Sequence, residues 1–208
     1  MGNYKTVYQS AVIEESIEKS RFIGYVLPIE NEADATRFIA EIKKKHWDAT
    51  HNVPVYVVGE QFSIQKYSDD GEPSGTAGLP ILEMLKKEGV TNVCVVITRY
   101  FGGVKLGTGG LVRAYTHTAK SALEKARIVE RKAFKHVGIV VDYSLHGKIQ
   151  NYFAHEDHII VGETLFSEVV ELQVYFEPQF EQEVTKSILD LTSGQMEWKS
   201  FEDVILTV

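Results

Sequence analysis

Over the first 130 residues, apolar residues occur in two patterns, short runs that are typical of strands and helical spacing that is typical of helices. Short β-branched and aromatic runs predict strands at residues 20–29, 53–58, 61–67 and 93–98. Apolar residues at helical spacing predict helices at residues 33–46, 80–87 and 111–127, and Gly89 closes the second helix. We therefore expect a mixed α/β domain over residues 1–130.

The pattern changes near residue 131. Apolar runs predict strands at residues 136–142, 159–161, 170–176 and 196–208. Between them, Ser144 is the predicted N-cap of one helix, and a second helix begins at Pro178 and ends at Gly194. The element order is βαββαβ, as in ferredoxin-like domains. The expected fold class is α+β with two domains, at residues 1–130 and 131–208.

Charge is divided unevenly between these two parts. The 208-residue chain has a net charge of −7, and residues 131–208 carry all of it, with 6 Lys and Arg against 13 Asp and Glu. An acidic second domain repels phosphate backbones, which leaves only a local basic patch on the first domain for nucleic acid. The single cysteine, Cys94, cannot form an internal disulfide, and no apolar run reaches the ~18 residues that span a bilayer. We expect a cytoplasmic protein that does not enter a membrane.

The segment RYFGGVKLGTGGLVRAY, residues 99–115, is the first candidate site. A strand, a flexible loop and a helix N-terminus in this order suit an anion, usually phosphate. Tyr100 and Phe101 are suited to stacking on a base, although a place in the core explains Phe101 at least as well. Thr108 stands where a P-loop needs lysine, and Val112 stands where the dinucleotide fingerprint needs its third glycine. The alternative is that the glycines serve only a tight turn. The candidate residues are Arg99, Tyr100, Gly102, Gly103, Lys105, Gly107, Gly109, Gly110 and Arg113.

The segment YSDDGEPSGTAGLP, residues 67–80, is the second candidate. Asp69, Asp70 and Glu72 place three carboxylates in four positions, and such oxygens suit Mg²⁺. An Asp-Gly turn followed by capping from Ser74 or Thr76 explains the same residues and is the preferred interpretation. His51 is a lone histidine before a strand, and a structural role is the simpler explanation.

Together, residues 49–52 (ATHN), 68–78 and 98–115 resemble the IMPACT family, and in particular its bacterial YigZ-type members. The resemblance implies a first domain similar to the second domain of ribosomal protein S5. It also implies a second domain similar to the last domain of elongation factor G. Eukaryotic relatives regulate translation. The family assigns no settled roles to the shared motif residues, which are His51, Asp69, Asp70, Glu72, Ser74, Arg99, Tyr100, Lys105 and Arg113.

Two functional hypotheses follow. The leading one is a non-enzymatic cytoplasmic protein that binds RNA or the ribosome, needs no cofactor, and contacts phosphates through Arg99, Lys105 and Arg113. The alternative is an enzyme or sensor for a phosphorylated small molecule, with Mg²⁺ at Asp69, Asp70 and Glu72. A third, weaker hypothesis is a protein partner bound by the acidic second domain.

Overall fold

A computed structural model describes residues 3–208, which fall into two units, residues 3–130 and Arg131–Val208. The first unit contains strands β1 to β6 and helices α1 to α3, and the second contains most of β7 and all later elements. The expected two-part, mixed α/β architecture is confirmed. No helix within residues 3–208 is long and apolar enough to cross a membrane.

Five strands of the first unit form one antiparallel sheet, in the order β2-β3-β6-β4-β5. The bounds of the strands are β1 Tyr4–Val7, β2 Ala11–Ile17, β3 Ser20–Pro28, β4 His51–Val58, β5 Ile64–Tyr67 and β6 Val93–Tyr100. The helices are α1 Glu32–Lys45, α2 Gly78–Glu88 and α3 Gly107–Ala126.

The two faces of this sheet are covered by different helices. Val95 and Ile97 of β6 pack in one core cluster with residues of α2 and α3. Cys94 and Val96 point the other way and pack against α1. Successive residues of a strand alternate between faces. Continuing this alternation along β6 therefore places Arg99 on the α2/α3 face and Tyr100 on the α1 face.

Several boundaries in the first unit differ from the sequence prediction. β1 and β2 were not predicted, although Ala11, Ile13 and Ile17 of β2 do recur with period two. β4 and α2 each begin two residues early. α3 begins at Gly107, whereas the predicted start is residue 111. The prediction missed the first turn because that turn is not buried, and Leu111 is the first buried residue of the helix. Apolar periodicity detects a helix only where the helix is packed.

The second unit is a sheet with two helices on one face. Its elements are β7 Ile128–Val141, α4 Tyr143–Phe153, β8 Ile159–Phe166, β9 Val170–Phe176, the short 3₁₀ turn Pro178–Phe180, α5 Glu181–Thr192, β10 Glu197–Ser200 and β11 Val204–Thr207. β9 lies between β7 and β8, and β10 and β11 both pair with β7. Ile149 and Phe153 of α4 share one core with Val184 and Ile188 of α5.

Four predictions for this unit were wrong in detail. β7 starts at Ile128, eight residues earlier than expected, and the single predicted last strand is divided into β10 and β11. Asp142, not Ser144, is the N-cap of α4. β8 continues to Phe166, beyond the predicted end at residue 161. A register shift between Val161 and Thr164 interrupts the alternation of apolar and polar residues there, but the strand continues past it.

Candidate functional site

An open cavity of about 420 Å³ lies where β4, β6, the loop before α2 and the start of α3 meet. His51 of β4 is directly opposite Arg99 of β6, so both side chains reach the same end of the α2/α3 face. The cavity brings the two long sequence motifs together. Its lining residues are Thr50, His51, Glu72, Pro73, Arg99, Phe101, Lys105, Leu106, Gly107, Thr108 and Leu111.

Glu72 is the buried acidic group of this cavity, with only 3% of its side chain exposed. Arg99, itself 6% exposed, donates from Nη1 to Glu72 Oε1 over 2.6 Å. The Tyr115 hydroxyl donates to the same oxygen over 2.7 Å. Burial raises the pKa of Tyr115 well above its usual value, so the hydroxyl keeps its proton and stays a donor. The carboxylate charge is therefore compensated by a guanidinium and a phenol.

His51 stands beside this carboxylate with a defined tautomer. Its Nδ1 lies 2.8 Å from the backbone carbonyl of Asp70, and a carbonyl only accepts, so Nδ1 carries the proton. The other ring nitrogen, Nε2, faces the carboxylate and lies 3.7 Å from Glu72 Oε1. The wall of the cavity at this point holds an imidazole nitrogen and a carboxylate.

The acidic loop before α2 is held by its own carboxylates. Asp69 accepts the backbone amides of Gly75, Ala77 and Gly78, which caps the start of α2. The predicted Asp-Gly turn is present, with Asp70 at a left-handed φ of 48°. The cap itself comes from Asp69. Ser74 is exposed, and the Thr76 hydroxyl donates to the carbonyl of Pro73.

Asp70 has a separate set of partners. Its Oδ2 accepts the backbone amide of Asn52 over 2.7 Å, and its Oδ1 pairs with Lys43 over 2.7 Å. Asp69, Asp70 and Glu72 are thus directed at three different places. Among residues 3–208, no group of three or more His, Cys, Asp or Glu side chains is arranged to hold a metal ion. A Mg²⁺ site made from all three carboxylates does not fit this arrangement.

The opposite side of the cavity is electropositive. Lys105 is exposed at its rim, next to Gly107 and Thr108 in the first turn of α3. No side chain of the described residues caps this helix end, and its first turn contains no acidic residue. A 20-residue helix presents free amides and partial positive charge at such an end. This rim suits an anionic group.

The remaining glycine-segment residues are dispersed around the cavity. Gly102 packs so closely on the β2–β3 turn that a Cβ would lie 1.8 Å from the carbonyl oxygen of Lys19. Gly103 has a left-handed φ of 87°. Arg113 is exposed and lines a separate depression beside α3, together with Gly110, while a Cβ on Gly109 in the first turn would be in ordinary contact with Arg113 Nη1 at 3.7 Å.

Tyr100 lies on the other face of the sheet. Its hydroxyl donates to Asp48 and meets His46 Nδ1 at 2.9 Å, while His46 Nε2 lies 2.5 Å from the Tyr25 hydroxyl. Burial lowers the pKa of His46, which favours the neutral ring in this chain of hydrogen bonds. The structure therefore brings Arg99, Lys105, Gly107, His51 and Glu72 together and separates Tyr100 from them.

Sequence reasoning missed two contributors. Tyr115 was assigned to the apolar stripe of α3, where it does lie, but its hydroxyl reaches Glu72. Ser20 accepts from Arg99 Nη2 over 3.3 Å and from the Gly102 amide over 3.2 Å. A buried tyrosine needs a hydrogen-bond partner for its hydroxyl, so the sequence could have indicated that Tyr115 contacts a polar group. Nothing in the sequence indicates a role for Ser20 in the site.

Comparisons with known proteins agree on one family. Residues 18–123 match the model of the Impact N-terminal domain, and residues 139–195 match DUF1949, a domain of unknown function. The chain is 44% identical over 200 residues to IMPACT family member YvyE of Bacillus subtilis strain 168, covering 96% of this chain and 92% of that one. It is 41% identical over 115 residues to YigZ of Escherichia coli K12, covering 54% and 56%. A crystal structure of a hypothetical protein superposes with a TM-score of 0.61 at 28% identity, covering 97% of this chain and 98% of the other.

Proposed function

Because this chain belongs to the IMPACT family, we propose that it is a non-enzymatic cytoplasmic protein that binds RNA or the ribosome and modulates translation. The family resemblance supports the link to translation, through its eukaryotic regulators. Protein IMPACT of Mus musculus is 33% identical to this chain over 94 residues, covering 43% of this chain and 29% of the mouse protein. The resemblance of the two units to parts of ribosomal protein S5 and elongation factor G belongs to the same proposal.

One observation carries the RNA proposal: an exposed lysine and an uncapped helix N-terminus meet at the rim of an open cavity that also contains an exposed aromatic ring. Lys105 and the first turn of α3 provide the positive charge, and Phe101 provides the ring. Glu72 does not cancel this field, because Arg99 already compensates it. Phosphate contacts and aromatic stacking are the two general means of holding single-stranded RNA.

The phosphate contacts in this proposal come from Lys105, Arg113 and the first amides of α3. Arg99 has a different part, because its guanidinium is buried against Glu72 and positions that carboxylate. The acidic second unit keeps the contact local, since seven net negative charges repel further phosphates. In the same proposal its surface is left for a protein partner.

Cosedimentation with ribosomes over a range of salt concentrations tests the proposal. A Lys105→Ala, Arg113→Ala double variant is expected to bind more weakly, and the slope of log K against log salt falls by roughly 0.7 to 0.9 for each lost phosphate contact. Lys44→Ala with Lys186→Ala removes two exposed cations elsewhere and serves as the matched control. Equal binding by both double variants, with the wild-type salt slope, refutes the proposal.

The second candidate is an enzyme or sensor for a phosphorylated small molecule, favoured by the pairing of His51 Nε2 with the buried Glu72. A proton acceptor beside an anion site is a common arrangement for acid–base chemistry. Asp69 and Asp70 have other partners, so Glu72 is the one of the three carboxylates that would hold Mg²⁺, which would neutralise negative charge on the phosphate of the ligand. A rise in melting temperature with phosphomonoesters and MgCl₂, lost in Glu72→Gln, would favour this candidate over RNA.

A further inference from the structure

We infer that the cavity holds one unstacked base of single-stranded RNA and favours bases that carry an amino group. This inference rests on the proposed RNA binding and adds to it which form of RNA, and which bases, the site accepts. It is carried by three features of the same cavity: a fixed aromatic ring, a wall of hydrogen-bond acceptors and a positive rim.

Phe101 is the aromatic feature, and its position is fixed from one side. The Arg99 guanidinium carbon lies 5.5 Å from the centre of the Phe101 ring and 5.4 Å from the centre of the Phe22 ring. The Phe101 backbone amide donates to the Thr50 hydroxyl over 2.9 Å. Even so, 47% of Phe101 is exposed. A ring that is anchored by a cation and a hydrogen bond but still open to solvent can accept a base at little entropic cost.

The acceptor wall consists of Glu72 and His51. Within the described residues, Arg99, Tyr115 and His51 all approach Oε1 of Glu72, and we assign Oε2 as the acceptor for a donor that enters the cavity. We assign to His51 the tautomer whose single proton is on Nδ1, facing the Asp70 carbonyl, and in this tautomer Nε2 is a second acceptor. Cytosine, adenine and guanine present amino donors, whereas uracil presents two carbonyl acceptors around a single N–H. The wall therefore repels the carbonyl edges of uracil.

The positively charged rim of the cavity binds the phosphate of the nucleotide whose base enters the cavity. Lys105 and the first turn of α3 line the same cavity as Phe101 and Glu72. Arg99 lines the same cavity with only 6% of its side chain exposed, and its buried Nε has no hydrogen-bond partner in the described part of the chain. A buried polar group left unpaired is uncommon in a protein without its ligand or ordered water.

Duplex RNA cannot satisfy this site. Its bases are stacked and paired, and an A-form helix presents phosphates and ribose to a protein surface. A base can enter the cavity only after leaving the stack, which is cheapest in a single strand. We therefore expect a preference for single strands over duplexes, on top of the phosphate contacts that both share.

Fluorescence anisotropy of the full chain with labelled RNAs of equal nucleotide number tests the inference. The probes are oligo(C), oligo(U) and a perfectly paired hairpin. Wild type is expected to bind oligo(C) most tightly, and Phe101→Ala is expected to weaken oligo(C) binding by about tenfold while changing hairpin binding little. Phe201→Ala is the matched control, because Phe201 is similarly exposed (42%) and lies in the second unit.

Glu72→Gln tests the acceptor wall separately. An amide of the same size replaces one acceptor oxygen by a donor, so the preference for oligo(C) over oligo(U) is expected to shrink or reverse. Circular dichroism melting shows whether this variant is folded. If it is not, the wild-type ratio of oligo(C) to oligo(U) affinity and the Phe101→Ala result decide the question.

The possible results distinguish failure of RNA binding itself from failure of the base site alone. No binding of wild type to any of the three RNAs, nor to ribosomes, refutes RNA binding itself. Binding that is lost in Lys105→Ala but equal for hairpin and single strand, or unchanged in Phe101→Ala, overturns only the base site. Equal affinity for oligo(C) and oligo(U) overturns the preference for amino bases.

Discussion

Glu72 is the residue on which the first unit's site depends. Its carboxylate is almost fully buried, and the compensating charge comes from Arg99, 27 positions later in the chain. A buried ion pair adds little stability compared with apolar packing, but removing one partner leaves the other charge buried and unpaired. The site therefore requires both Glu72 and Arg99, and substitution of either one is expected to disrupt it.

Glu72→Ala should lower the free energy of unfolding by about 3 to 5 kcal/mol, because it leaves the Arg99 guanidinium buried without its carboxylate. Urea denaturation followed by circular dichroism measures the change. Glu83→Ala is the control: Glu83 is an exposed partner of Lys86, and we expect a change within about 0.5 kcal/mol. A Glu72→Ala loss as small as the control would mean that Arg99 is hydrated in the folded protein.

At this scale, the sequence identified the right residue types but not their pairings. Period-two alternation from Val93 places Arg99 among buried side chains, so its burial could be read from the pattern. Its partner could not, because the contact with Glu72 depends on how the loop before α2 folds back onto β6. The sequence therefore predicts Arg99 as a phosphate contact together with Lys105 and Arg113. The structure places it in the wall of the cavity.

At the scale of elements, the connection from β6 to α3 shows that the glycines of one segment have different tasks. Gly102 lies against the backbone of the β2–β3 turn, where no side chain fits. Gly109 lies in the first turn of α3, where a Cβ would be no closer than 3.7 Å to Arg113 Nη1. The first glycine is required by the fold, and the second is not.

Gly102→Ala is expected to destabilise the first unit strongly, by more than about 2 kcal/mol, because the strand must move away from the turn. Gly109→Ala is expected to be neutral or to stabilise by up to about 1 kcal/mol, because alanine favours helix. Thermal melting of the two variants side by side measures the difference. Equal melting temperatures would show that the close approach at Gly102 can relax without cost.

The predicted elements were most accurate where the core is thickest. β6 and β9 have continuous or strictly alternating apolar residues, and their spans agree with the prediction to within two residues. Errors concentrate where elements leave the core: the first turn of α3, the start of β7 and the end of β8. Hydrophobic patterning records burial, so it gives no signal in an exposed turn or along a half-exposed strand.

At the scale of the whole molecule, the two units have separate cores. Val95 and Tyr115 belong to a cluster formed within residues 3–130, whereas Leu172 and Phe176 belong to one formed within Arg131–Val208. A domain with its own core can unfold by itself. Charge follows the same division, since the second unit carries the whole net charge of −7.

We expect the two units to unfold in separate transitions. Trp198 packs against the core of the second unit, whereas Trp47 is 83% exposed and changes little on unfolding. Tryptophan fluorescence therefore follows the second unit, and far-ultraviolet circular dichroism follows both. Glu72→Ala should create an early phase in the dichroism curve and leave the fluorescence midpoint unchanged.

Leu172→Ala provides the reciprocal arm of this experiment. Leu172 is fully buried in the second core, and its truncation costs about 2 to 5 kcal/mol. The fluorescence midpoint should fall, while the dichroism phase that responds to Glu72→Ala stays in place. A single transition that both substitutions shift by the same amount would show that the two cores unfold as one cooperative unit. In that case, damage to either core would remove the cavity of the first unit at the same temperature.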